Sequence, residues 1–78
     1  MTVVVETAGP LTYVGRFDTE DASGVHLLDV GVHDAAGGGT REDFVRRSAR
    51  FGVRTDRKHL VVPRAQVARI TRLGDVDS

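Results

Sequence analysis

The residues of this chain that could do chemistry fall into three groups. The first is the link Pro63-Arg64-Ala65-Gln66 between two apolar runs, Leu60-Val61-Val62 and Val67 to Ile70. A tight turn there presents the Arg64 fork and the Gln66 amide to a ligand, or leaves them as solvated turn residues. The second is Arg46, Arg47, Arg50 and Arg54, either a surface that neutralises phosphates or the plain charged side of an amphipathic helix. The third is His26, His33 and His59. Even with Asp34 next to His33, their spacing matches no metal-ligand cluster, which leaves them as surface or partly buried side chains. Ser23 and Ser48 have no base near them in sequence, and Gly37-Gly38-Gly39 runs into Thr40-Arg41 instead of the Lys-Ser/Thr of a phosphate loop. The expectation is no catalysis, no metal and no cofactor.

These groups need a scaffold, and 78 residues supply one domain spanning 1–78. A chain of this length buries only about 60% of its unfolded surface, so association with copies of itself is a reasonable expectation. The chain contains no cysteine, so neither a disulfide nor a thiolate metal site can reinforce it. No apolar run approaches the roughly 20 residues that span a bilayer. The start MTVVVETAG lacks the basic and apolar segments of a signal peptide, so the expectation is a soluble cytoplasmic protein without membrane contact.

The formal charge is zero, but it is unevenly spread. Residues 1–40 set one arginine against six acids, net −5, and residues 41–78 set ten basic residues against five acids, net +5. Such a split fits a basic surface for an anionic partner, or two halves that attract each other.

Patterning predicts five strands and one helix. Val3-Val4-Val5 reads as a strand, ended by the turn Ala8-Gly9-Pro10. Leu11, Tyr13, Gly15 and Phe17 alternate with Thr12, Val14, Arg16 and Asp18, the period of a half-buried strand in which Gly15 allows a close approach. Asp18 to Gly24 reads as a polar loop, and Val25 to Val32 as a strand apolar enough on both faces to be central. Residues 33–58 form an insertion, a glycine-rich link and then a short basic helix capped by Thr40 and closed by Gly52. Phe44, Val45, Ser48, Ala49 and Phe51 give that helix one weakly apolar side, expected to cover an open end of the core. The stretch 59–70 supplies two last strands around the tight turn, and 74–78 is a frayed acidic tail. The expected core is Val3, Val5, Leu11, Tyr13, Phe17, Leu27, Leu60, Val62, Val67 and Ile70.

The order strand, strand, strand, helix, strand, strand describes an all-β chain with one short helix, its strands curling into a small barrel. Tyr13, Gly15, Phe17, Asp21 and the strand from Val25, with Val62-Pro63-Arg64-Ala65-Gln66-Val67-Ala68-Arg69-Ile70, resemble the two motifs of the Sm-like family. The resemblance implies a five-stranded SH3-like/Sm-like barrel with a helical insertion between strands 3 and 4. It further implies a cyclic homo-oligomer whose pore binds single-stranded RNA. Only Asp21 and Arg64 match the family's base-contacting positions, with Gln66 as neighbour. The family's Asn after the loop Asp is absent, and Ala65 replaces its turn glycine. A PRC-type or other SH3-like barrel shares the alternation. The competing functional reading is an oligomeric structural or adaptor barrel that contacts proteins and no nucleic acid.

Overall fold

The computed structural model describes residues 1–75. They form one antiparallel sheet of five strands, β1 (Thr2–Thr7), β2 (Leu11–Asp21), β3 (Gly24–Asp34), β4 (Arg57–Val62) and β5 (Val67–Arg72). The spatial order is β4-β3-β2-β1-β5, with the helix α1 (Arg41–Phe51) inserted between β3 and β4. Among the described residues no helix is long and apolar enough to cross a membrane.

β1 alternates its three valines between two faces. Val3 and Val5 join Tyr13, Val25, Leu27, Val30 and Val62 in an inner core, and Val4 turns outward to pack with Val14 and Val45. Val5 pairs with Tyr13 and Val25 with Val62, so one cluster draws on strands from both sides of the sheet. That requires strong curvature. Two bulges help to provide it, one where Asp29 takes φ +51° in β3 and one at Asp18 in β2, since an extra residue bends its strand and raises the twist. Gly15 permits the same bend, because a Cβ there would crowd Val30 and the Leu28 carbonyl at 3.0 and 3.1 Å.

β4 and β5 are the two edges of the sheet and do not pair with each other. Only Pro63 to Gln66 joins them, as a single 3₁₀ turn closed by Gln66 N–H donating to the Pro63 carbonyl at 2.9 Å. A link this short holds the two edges together at one end, although no ladder closes the seam.

Several expectations from sequence are corrected. β2 continues to Asp21, so the loop expected over 18–24 shrinks to Ala22-Ser23. The helix does not cover an end of the core. Its Val45 packs on the outer face over Val4 and Val14, because Val4 and Val14 left that face apolar. Arg41 fixes this docking by donating to Thr12 Oγ1 and Glu6 Oε1, both at 3.0 Å. Phe51, expected at the docking surface, is 79% exposed, since the helix ends beyond the sheet contact. The expected core holds for Val3, Val5, Tyr13, Leu27 and Val62, while Leu11, Phe17, Leu60 and Val67 pack against it only partly buried. Ile70 lies opposite Val5 but stays 41% exposed, because β5 is an edge. Gly74 and Asp75 belong to a 3₁₀ turn, Leu73–Asp75, and the rest of the expected tail lies outside the described residues.

The helix start follows the sequence closely. Thr40 Oγ1 accepts from Asp43 N–H at 3.1 Å, and Gly52, at φ +91°, donates to the Ser48 carbonyl at the other end.

Candidate functional site

The β2–β3 hairpin gathers most of the chain's unusual chemistry. Asp21 closes β2, and its Oδ1 accepts from Ser23 N–H at 2.8 Å across the two-residue loop. Gly24 follows at φ +132°, where a side chain would fall on the Val62 carbonyl. This glycine therefore lets the end of β4 lie directly against the hairpin.

Beyond the loop, His26 sits on the outer face of β3 opposite Val61, and His59 on β4 opposite Leu28. The two histidines are diagonal neighbours on one face, a placement that brings long side chains into reach. His26 Nδ1 lies 3.1 Å from His59 Nε2, and the rings lie nearly coplanar, edge to edge, with centroids 5.3 Å apart and planes 20° apart. The other nitrogen of His26, Nε2, is 3.0 Å from the Asp21 carboxylate. Asp21, His26 and His59 thus form a continuous hydrogen-bonded line. The His26 hydrogen bond, followed by the Ser23 N–H, holds the Asp21 carboxyl below its ordinary 3.8. The His26 side chain is 17% exposed and that of Asp21 53%, so the line runs from a sheltered centre to solvent.

Arg64 lies beside this line. Its guanidinium pairs with Glu20, the residue before Asp21, so the four-residue turn is tied to the hairpin by an ion pair. Asp21 and Arg64 therefore stand at one end of the fold. Gln66, in the same turn, accepts at its carbonyl from Ala8 N–H at 3.2 Å in the β1–β2 turn. Sequence reasoning missed His26 and His59 as a unit. They are 33 residues apart, and only the β3–β4 register brings them together.

The second candidate surface, on α1 and the segment after it, is partly self-neutralised. Arg46 pairs with Asp43 at 3.8 Å and Arg54 with Asp56 at 4.0 Å, both within the basic half of the chain. Arg50 stacks over the exposed Phe51 ring, 5.6 Å from its centroid. Arg47, Arg54 and Phe51 line an open cleft of about 700 Å³ between α1 and β3. His33 borders that cleft, stacked on Phe44 with centroids 5.2 Å apart, its Nε2 buried without a hydrogen-bond partner among the described residues. An aromatic platform therefore accompanies the arginines, although Phe51 reads from sequence as a docking residue. The attraction between the two halves of the chain is carried elsewhere, by Glu6 with Arg41 and Arg69 and by Glu20 with Arg64.

Comparison with protein-family models, with curated proteins and with solved structures yields no match to this chain.

Proposed function

We propose that this chain is a non-catalytic assembly module, an SH3-like or Sm-like small barrel left open along one seam that joins copies of itself into a closed ring. One observation carries the reading: among the described residues each edge strand is paired on one side only, and β5 leaves Ile70 41% exposed next to the inner core. Unpaired edges recruit further strands unless they are blunted. β4 of one copy pairing antiparallel with β5 of the next is a head-to-tail contact, which closes when the rotation permits. Val61-Val62 and Val67-Ala68 bring no charge to that pairing, while its basic residues are Arg57 and Lys58 on β4 and Arg69 and Arg72 on β5, the latter two 4.0 Å from Glu6 and 2.8 Å from Asp75. Light scattering coupled to size exclusion tests the proposal. A discrete oligomer that Ile70→Lys reduces to a monomer supports it, and a monomer at micromolar concentration of the unmodified chain overturns it.

A second reading, binding of single-stranded RNA, is favoured by the exposed Phe51 with Arg50 over its ring. Stacking on an aromatic contributes about 1–3 kcal/mol per base, and nearby arginines neutralise the phosphates. Asp21, Arg64 and Gln66 serve this reading less well, because Arg64 must leave Glu20 before it meets a base. Fluorescence anisotropy with short uridine-rich and adenine-rich oligomers at low salt is the test. Loss of binding in Phe51→Ala, with Arg64→Ala unaffected, supports the helix side. The reverse pattern supports the turn, and no binding at tens of micromolar leaves the assembly module alone.

A further inference from the structure

We propose that His26 and His59 form a bidentate site for a divalent transition-metal ion that favours imidazole, zinc or copper(II), with Asp21 as the outer carboxylate that prepares it. Metal–imidazole bonds are about 2.0–2.1 Å long, so two of them at about 90–110° set their nitrogens roughly 2.9–3.4 Å apart. His26 Nδ1 and His59 Nε2 are 3.1 Å apart, the separation such a pair of ligands requires.

The tautomers follow from the partners. The Asp21 carboxylate, 3.0 Å away, accepts the proton of His26 Nε2, which leaves the Nδ1 lone pair free on the side of His59. In the metal-free protein that lone pair accepts the His59 Nε2 proton. When an ion enters, this proton transfers to His59 Nδ1, and both facing nitrogens become ligands. The carboxylate–imidazole–metal order is the arrangement by which outer carboxylates orient a ligating ring and raise its basicity. The centroids, 5.3 Å apart, lie almost in line with the two nitrogens, so the lone pairs face each other. Each ring must turn by about 40° to aim at a shared ion. That movement is open to His59, which stands exposed on an edge strand.

Among the described residues no three potential ligands converge on one point, because Asp21 is engaged on the far nitrogen of His26. Water completes the coordination shell, and the His26 side chain, 17% exposed, borders solvent on that side. Imidazole donors select copper(II), nickel and zinc over magnesium or calcium, which prefer oxygen. The outer face of β3 and β4 therefore carries a metal-responsive site that clips the edge strand to its neighbour.

Isothermal titration calorimetry of the full chain with zinc chloride, and separately with copper(II) sulfate, tests the site. The expected result is one ion per chain, with affinity lost in His26→Ala and in His59→Ala, and weakened about 10–100-fold in Asp21→Asn. His33→Ala leaves the affinity unchanged and controls for non-specific imidazole binding. Circular dichroism of each variant separates loss of the site from loss of the fold, and in any variant that unfolds, the ring signals of His26 and His59 in the unmodified chain decide instead. Those signals are expected to shift on zinc addition while His33 stays still. Absence of binding at millimolar metal, unchanged affinity in His59→Ala, or one ion bridging two chains would each overturn the proposal.

Discussion

Glu20, near the end of β2, holds the guanidinium of Arg64 from the turn between β4 and β5. The pair joins the β2–β3 hairpin to the link that carries the chain from one sheet edge to the other. It is an exposed clamp, with the Arg64 side chain 71% and the Glu20 side chain 34% accessible.

The clamp is therefore expected to matter for position more than for stability. Exposed ion pairs contribute about 0–1 kcal/mol, so Glu20→Ala and Arg64→Ala should each shift the melting temperature by only a few degrees. Combining the two should add little to either alone, because both remove the same interaction. A thermal melt of the three variants reads this directly, and additive losses would show that each residue has another partner.

Leu27 and Phe17 face each other across β2 and β3, yet only Leu27 is fully buried. Leu27→Ala is expected to cost about 2–5 kcal/mol, enough to unfold much of a domain this small. Phe17→Ala should cost clearly less than the 3–5 kcal/mol typical of a fully buried Phe, since its ring is only partly removed from water. Urea denaturation of both variants ranks them, and the opposite ranking would mean that the inner core is centred nearer Phe17.

Arg41 bridges Glu6 and Thr12, which stand opposite each other in the β1–β2 ladder. Arg41→Ala should cost roughly 1–2 kcal/mol, a charged hydrogen bond discounted for partial exposure. The first visible consequence should be loss of helix docking. Hydrogen exchange at residues 41–51 is expected to accelerate while the inner strands stay protected, and uniform acceleration through the sheet would refute a docking role.

Acid sensitivity follows from Asp21. Its folded-state carboxyl is held below the ordinary value of 3.8, chiefly by the His26 hydrogen bond. A lowered folded value means that the stabilisation is fully present above about pH 4 and is lost as pH falls through the folded value. Asp21→Asn removes that dependence, so its stability should fall less steeply than that of the unmodified chain across this acid limb. Denaturant midpoints measured at several pH values from neutral to acidic test it, and parallel profiles would mean that other carboxylates set the acid limb.

The sequence by itself determined the local devices. Thr40 and Gly52 bound the helix because their backbone and side-chain chemistry acts within a few residues. Val3 and Val5 face inward beside Val4 facing out because the strand period is two, and Pro63-Arg64-Ala65-Gln66 turns because proline cannot continue a ladder. Tertiary structure alone decided the rest. Asp18 to Asp21 look like a loop in sequence because all four are polar, yet pairing with β3 makes them strand at the exposed end of the hairpin. The side on which α1 docks depended on the outward Val4 and Val14 meeting across β1 and β2, a contact between elements that no local period contains. The line Asp21, His26, His59 needs a β3–β4 register that places Leu28 opposite His59, and registers are set by long-range burial. Local propensity acts over a few residues, whereas these placements depend on which faces are hidden once the whole sheet has curled.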